Sequence, residues 1–348
     1  MFMRFSSTVL LWICLIQVVS AADVVGFRET TLDQTSPRPL HVSVWYPAVS
    51  SQTHIVEKIG EDQVFVGIDG ARNAQAASGT YPLVVLSHGF RGSWRNVNWL
   101  AAELVKQGYI VAAPDHPGTT THDRNPAQAQ QLWQRPKDVS RVIDALIATP
   151  SITGHIDQTR IAAIGHSLGG WTVVELAGAR FDTQQFVQDC QHGVNPRICG
   201  LTAEFGINKS PEFVAQLDAD LRDPRVKAVV SLDLGVARGF TSQSLAAVNV
   251  PVLVLAAGVD IADLPAELES GYLVAGLPKA STRYVLINDA THFSFMQLCK
   301  PGAVALLEED SPDDGVVCKD GNGRDRQAIH QQISTLIIAF LKQVIPAH

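Results

Sequence analysis

Short apolar runs that alternate with helical segments constrain the fold of this 348-residue chain more than any other feature. The runs at 83–87 and 161–165 are continuously apolar, which is typical of strands buried on both faces of a sheet. Further strands are predicted at 40–46, 109–115, 226–233, 250–257 and 282–288, and helices at 98–107, from 136 to 147, at 168–179 and at 324–344. Strands that alternate with helices build a mostly parallel sheet with helices on both faces. The sequence therefore predicts an α/β fold in a single domain, residues 22–348.

Two polar stretches interrupt this pattern. Residues 48–80 are rich in Ala, Gly and Gln and are predicted to form a surface excursion. Residues 181–225 lack a buried strand and are predicted to be an inserted cap, whose packing would shape the substrate pocket. Five apolar side chains of the cap could line an apolar entrance for a lipid or polymer, but the favoured expectation is a small core beneath the cap: Phe181, Phe186, Phe205, Ile207 and Phe213.

Residues 1–21 predict export. Arg4 gives a positive start, residues 9–16 form an apolar core, and small residues up to Ala21 suit cleavage of a signal peptide. We expect a periplasmic or secreted mature protein without a transmembrane span, because no later apolar run is long enough to cross a bilayer. Nucleic acid is not an expected partner, since 27 Lys and Arg stand against 34 Asp and Glu, a formal charge of −7.

The cysteine count also fits an oxidising compartment. Removal of Cys14 with the signal peptide leaves four cysteines, an even number that favours structural disulfides. The predicted pairs are Cys190–Cys199 and Cys299–Cys318, because each closes a short loop in a polar stretch. A zinc site is not expected, because no Cys-x-x-Cys pair or close histidine accompanies these cysteines.

A candidate nucleophile lies between a predicted strand and a predicted helix. The sequence Gly-His-Ser-Leu-Gly at 165–169 has the Gly-x-Ser-x-Gly pattern in the strand–turn–helix context that a nucleophile elbow requires. Ser167 is therefore the predicted nucleophile. The N–H of Leu168, next along the chain, and the N–H of Phe90, after the Ser-His-Gly at 87–89, are the predicted oxyanion donors. His88 is expected to order that loop rather than to act as a base.

A serine nucleophile needs a base, and His292 is the candidate because it follows the last predicted strand, downstream of Ser167. His330, in the final helix, is predicted to be a surface residue. Two carboxylates satisfy the chain order Ser, Asp, His: Asp233 at the end of one strand and Asp260 after the next. Either strand end could deliver the acid, so the residues alone leave both open.

These motifs resemble the α/β-hydrolase superfamily, and within it the bacterial group called predicted dienelactone hydrolases, which is similar to plasma-type platelet-activating-factor acetylhydrolases and to chlorophyllases. The resemblance rests on Val-Trp-Tyr-Pro at 44–47, on the segments 81–89, 108–116 and 135–139, on the serine motif and on Ala-Thr-His-Phe at 290–293. In the acetylhydrolases and chlorophyllases the matching motif supplies the acid from Asp233, whereas the wider superfamily implies Asp260. True dienelactone hydrolases use a cysteine nucleophile, so the serine departs from them.

The expected activity is hydrolysis of a small-molecule or lipid carboxylic ester by a Ser-His-Asp acyl-enzyme mechanism without a metal or organic cofactor. An amidase or peptidase on the same fold is one alternative. A non-catalytic binding protein with a hydrolase-like fold is another. The sequence leaves the ester and the oligomeric state open.

Overall fold

The computed structural model describes residues 24–50 and 55–347. The predicted signal peptide, 1–21, lies outside the described residues. The strands are β1 (Val24–Leu32), β2 (Leu40–Ala48), β3 (Glu57–Ile59), β4 (Ile68–Arg72), β5 (Thr80–Ser87), β6 (Ile110–Asp115), β7 (His155–His166), β8 (Val226–Leu232), β9 (Val252–Val259) and β10 (Thr282–Thr291).

The α-helices of the described residues alternate with these strands over most of the chain. They are α1 (Trp94–Lys106), α2 (Pro126–Ala129), α3 (Gln134–Ala148), α4 (Leu168–Leu176), α5 (Thr183–Gln191), α6 (Pro196–Cys199), α7 (Pro211–Leu217), α8 (Ser242–Ala246), α9 (Ser270–Gly276), α10 (Ala303–Asp310) and α11 (Arg326–Val344). Short 3-10 turns lie at Ala237–Gly239, His292–Phe295 and Asp314–Cys318.

The strands form one mixed sheet in the order β10-β9-β8-β7-β5-β6-β2-β1-β4-β3. The six strands from β10 to β6 run parallel, whereas β2 pairs antiparallel with both β6 and β1. Because parallel strands end at the same edge, the loops after β5, β7, β8 and β10 converge there. The predicted mostly parallel sheet with helices on both faces is confirmed.

Side chains alternate along each strand between two apolar layers. Val84, Val111 and Ala162 belong to the layer that contains α1 and α11. Val85 and Ala112, one residue further on, belong to the layer that contains α3 and α4. The sheet is therefore buried on both faces, which explains why its central strands read as continuous apolar runs.

The polar stretch 48–80 differs from its prediction. It contains β3 and β4, and β4 pairs parallel with β1 at Gly26 and Phe27, so this stretch extends the sheet instead of leaving it. Both strands are short, at three and five residues, and carry charged side chains, and β3 is the edge strand of the sheet. Edge strands of this kind lack the apolar run that identifies a buried strand.

The stretch 181–225 forms three helices, α5 to α7, without a strand. Four of its apolar side chains are buried in the main apolar layer beside α3 and α4, and Phe213 packs against Trp133 with ring centroids 4.9 Å apart. The expected small core is therefore continuous with the main core. The four buried residues are Phe181, Phe186, Phe205 and Ile207.

Two disulfides join Cys190 to Cys199 and Cys299 to Cys318, the same pairs that the sequence predicts. They close loops with sequence separations of 9 and 19 residues, respectively. Each staples a local surface segment. Over residues 24–50 and 55–347, no helix combines the length and the apolar character needed to cross a membrane.

Candidate active site

Ser167 lies on the turn between β7 and α4 with φ 56° and ψ −121°. A non-glycine residue rarely adopts a positive φ, and such strain costs on the order of 1–3 kcal/mol. The flanking glycines make this turn possible. A Cβ atom on Gly165 would overlap the carbonyl oxygen of Gly169, and one on Gly169 would overlap that of Ser87. The Gly-x-Ser-x-Gly spacing is therefore imposed by backbone packing.

The two predicted oxyanion donors adjoin this serine. Gly89 packs on it so closely that an added Cβ would lie 3.0 Å from Ser167 Cβ, and Phe90 lines the same cavity as Ser167. Leu168 is the first residue of α4, where a helical N–H has no partner within the helix. In the described part of the chain, neither of these two N–H groups donates to a protein acceptor. Both are available to a ligand oxygen.

His292 and Asp233 form a buried pair at the same sheet edge. His292 begins the 3-10 turn after β10, and its Nδ1 lies 2.7 Å from Asp233 Oδ2. Asp233 follows β8 at φ 44°, and its Oδ1 accepts a hydrogen bond from the N–H of Ala257 at 2.8 Å. A carboxylate at Nδ1 holds the histidine tautomer with the proton on Nδ1. Nε2 is then left as a proton acceptor.

Asp260 lies apart from this pair. It is exposed in the loop after β9, where its Oδ1 accepts hydrogen bonds from the N–H groups of Ala262 and Leu264 at 3.1 and 2.9 Å. Its carboxylate thus organises its own loop. Of the two acids that the sequence left open, the structure brings Asp233 to His292.

His166, the residue before the serine, is a supporting group that sequence reasoning missed. Its Nε2–H donates to the carbonyl oxygen of His292 at 2.9 Å, and the two rings lie 4.7 Å apart. Burial, reinforced by the nearby His292, lowers the pKa of His166 well below its ordinary value, so this ring stays neutral. The serine turn and the histidine turn are therefore tied together directly.

A buried arginine contacts the loop that follows β5 and carries Phe90. Arg135 donates to Thr172 Oγ1 at 3.0 Å, to Thr119 Oγ1 at 2.6 Å and to the carbonyl oxygen of His88. Burial lowers the pKa of this guanidinium to about 9. The Arg-Pro-Lys-Asp-Val motif at 135–139 is the signal that could have found this residue, although it does not reveal what the arginine contacts.

Two histidines complete the buried network. His88 Nε2 accepts a hydrogen bond from the backbone N–H of His116, so His88 orders the loop as predicted. His116 contacts Ser87 Oγ at 2.9 Å and Asp138 Oδ2 at 3.1 Å, and Asp138 is paired with Arg38. Burial, together with the charge of Arg135, lowers the pKa of His116 to about 3. These groups position the loop without facing the cavity.

Ser167, His292 and Phe90 line one cavity of about 550 Å³. The predicted cap, 181–225, contributes no residue to this lining in the described structure; its Phe205 packs behind Phe90 at 5.0 Å between ring centroids. The segment 307–317 and residues 62–65 form walls instead. The 181–225 stretch therefore supports the cavity from behind through Phe205, while most of its buried apolar side chains belong to the main core.

The side chains of Ser167 and His292 share this cavity without a hydrogen bond between them among the described residues. Contacts of this kind are often long in unliganded sites and shorten when substrate binds.

His330, predicted on the surface, is instead buried and stacked on Trp99 at 3.6 Å between ring centroids. It lies outside this cavity.

Sequence comparison gives matches to ester hydrolases. Residues 60–188 match a family described as PET hydrolase-like, a stretch that includes Phe90, Ser167 and Leu168 and ends before Asp233 and His292. A bis(hydroxyethyl) terephthalate hydrolase of Streptomyces coelicolor is 27% identical over 63% of this chain and 52% of its own length. Cutinase 2 of Thermobifida cellulosilytica is 32% identical over 30% of this chain and 37% of its own length. The chain thus spans about half or less of these relatives.

Structure comparison covers nearly the whole chain. A ferulic acid esterase from Streptomyces cinnamoneus superposes with a TM-score of 0.64 and 21% identity, covering 95% of this chain and 93% of the other. At this identity the likeness establishes the fold alone. The narrower grouping with predicted dienelactone hydrolases stays a prediction. The chain has the α/β-hydrolase fold, and the part of it that carries the serine turn is similar to the PET hydrolase-like family.

Proposed function

We propose that this protein is an exported serine hydrolase that cleaves carboxylic esters through an acyl-enzyme, with Ser167, His292 and Asp233 as its triad. The single observation that carries the proposal is the buried 2.7 Å contact between His292 Nδ1 and Asp233 Oδ2, at the rim of the cavity that Ser167 lines. The names of the relatives, a terephthalate ester hydrolase and cutinases, support ester hydrolysis.

The reaction proceeds in two halves. His292 Nε2 takes the proton of Ser167 Oγ, and Oγ attacks the ester carbonyl carbon. The oxyanion accepts hydrogen bonds from the N–H groups of Phe90 and Leu168. The C–O bond to the alcohol breaks as His292 returns the proton to the leaving oxygen. In the second half, His292 takes a proton from water as the water oxygen attacks the acyl-enzyme carbonyl. The C–O bond to Ser167 breaks as His292 returns that proton to Oγ, which releases the acid and regenerates the serine.

Each supporting group has a defined part in these steps. Asp233 keeps the proton on Nδ1 and stabilises the imidazolium that forms in each half-reaction. Arg135 fixes the loop of Phe90 through the His88 carbonyl oxygen, so the donors are in position before the oxyanion develops. Ser167 thus supplies the nucleophile, His292 the base, and the N–H groups of Phe90 and Leu168 the oxyanion donors.

The direct test is Ser167→Ala in the secreted protein, assayed with p-nitrophenyl acetate and butyrate. We expect loss of ester turnover with an unchanged thermal unfolding midpoint, and loss of labelling by a fluorophosphonate probe. Undiminished turnover in this variant refutes the proposal. Matched ester and anilide substrates separate an esterase from an amidase, because an amidase retains a comparable rate on the anilide.

A further inference from the structure

We propose that the segment closed by the Cys299–Cys318 disulfide is the wall that determines which esters the site accepts. This inference rests on the proposed function and adds to it the part of the chain that sets substrate selectivity. Leu307 and Val317, both half-buried, lie in this disulfide-closed segment and line the cavity that contains Ser167 and His292. The segment begins at Cys299, only a few residues after the 3-10 turn His292–Phe295, so it lies next to the site.

The apolar surface of the cavity continues across several elements. Phe293 and Met296 follow His292 in the chain and line the cavity, and Phe65 lines it from the segment between β3 and β4. Together with Leu307 and Val317 they provide an apolar surface beside the histidine. An acetyl group is too small to cover such a surface, whereas a long or bulky apolar group can bury itself against it.

The charged groups around the cavity do not favour an ionic substrate. Three arginines and three aspartates line it: Arg91, Arg95, Arg124, Asp62, Asp310 and Asp314. Arg91 is paired with Glu204, which further reduces the positive charge available to a ligand. The expected substrate is therefore a neutral ester whose larger group is apolar.

The disulfide-closed segment is anchored at its base. Lys300 N–H donates to the carbonyl oxygen of Val64 at 2.7 Å, and Val66 N–H donates to that of Leu298 at 3.0 Å. At the other end, buried Arg326 donates to the carbonyl oxygen of Val317 at 2.9 Å. The disulfide joins these two ends, with Cα atoms 5.8 Å apart. The covalent bond thus limits how far α10 can move from the cavity.

The first test compares neighbouring leucines of α10. Leu307 lines the cavity, whereas Leu306 is 37% exposed and does not line it. The measurement is the ratio of kcat/KM for an eight-carbon ester to kcat/KM for p-nitrophenyl acetate. Two series are measured: p-nitrophenyl octanoate has the long chain on the acyl side, and octyl acetate has it on the alcohol side. Leu307→Ala should lower the ratio about tenfold in at least one series, since a single methylene in an apolar pocket is worth about tenfold or more. Leu306→Ala should leave the ratio unchanged.

The second test uses the two disulfides as a matched pair. The Cys299→Ser/Cys318→Ser variant should lower the same ratio, because the wall is no longer closed at its base. The Cys190→Ser/Cys199→Ser variant removes a disulfide whose loop does not line the cavity, and it should keep the unmodified ratio. If the first double variant fails to fold, the leucine pair still decides the matter.

The outcomes separate the two proposals. An active enzyme whose ratio is the same in Leu307→Ala, in Leu306→Ala and in the unmodified protein in both series refutes the selectivity wall and leaves the esterase proposal standing. An unmodified protein that hydrolyses none of these esters refutes the esterase proposal and the wall with it.

Discussion

Replacement of Asp233 by asparagine provides the sharpest test of the site, because the structure fixes which way the new amide must face. The N–H of Ala257 donates to Asp233 Oδ1 at 2.8 Å, so the single oxygen of the introduced amide is held there. The NH₂ group of that amide then faces His292 Nδ1, which must become a hydrogen-bond acceptor. The ring proton moves to Nε2, and His292 can no longer take the proton of Ser167. We expect kcat to fall about 10⁴-fold in Asp233→Asn, or about 5.4 kcal/mol of transition-state stabilisation.

The assay is kcat on p-nitrophenyl acetate, with the thermal unfolding midpoint measured in parallel. Asp260→Asn is the matched control, because its amide oxygen can still accept from Ala262 and Leu264 in an exposed loop. We expect this control to change kcat less than about threefold. A larger loss in Asp260→Asn than in Asp233→Asn, or a mild loss in both, would refute the assignment of the acid.

Three further predictions concern the supporting structure. Gly165→Ala should lower the thermal unfolding midpoint by about 10 °C or prevent folding, because the added Cβ overlaps the Gly169 carbonyl oxygen. Gly200→Ala, at an exposed helix end, is the control and should keep the midpoint of the unmodified protein. Equal midpoints for the two variants contradict the packing argument. Arg135→Met should reduce kcat about tenfold or more with KM little changed, because the His88 carbonyl oxygen loses its hydrogen-bond donor. Arg135→Lys should restore part of the lost kcat. A change confined to KM argues against this role of Arg135. Burial lowers the pKa of His330 to about 3. Between pH 6.5 and 4 this histidine therefore binds a proton in the unfolded state but not in the folded state. Its contribution lowers the free energy of unfolding by about 1.4 kcal/mol for each pH unit of acidification. In His330→Phe, the unfolding free energy measured by urea titration should depend less steeply on pH over this range, by the contribution of one proton. The same pH dependence in the variant and the unmodified protein would mean that His330 is protonated in the folded protein.

The sequence was most informative where burial or backbone geometry leaves few choices. The central strands were predictable because a strand covered on both faces must be apolar throughout, as at Val84 and Val85. The serine turn was predictable because a positive φ at Ser167 leaves no room for side chains on its flanking glycines. Both disulfides were predicted from short loops in polar stretches.

Long-range contacts escaped prediction because no local pattern encodes them. The polar strand β4 joins the sheet through a parallel pairing with β1, which depends on chain geometry rather than on an apolar run. His330 is polar and sits in an amphipathic helix, yet stacking on Trp99 buries it. The choice between Asp233 and Asp260 turned on which strand end faces the histidine, a distance that chain order does not contain.

The carboxylate that contacts His292 is that of Asp233, which follows β8. In the described structure, the loop after β9 offers no acid to His292, because Asp260 binds backbone N–H groups of its own loop. Residues 260–264 fold around an aspartate that serves only its own backbone. Changes at the exposed position Asp260 should therefore leave the His292–Asp233 contact in place, provided that Leu264 keeps its place in the core.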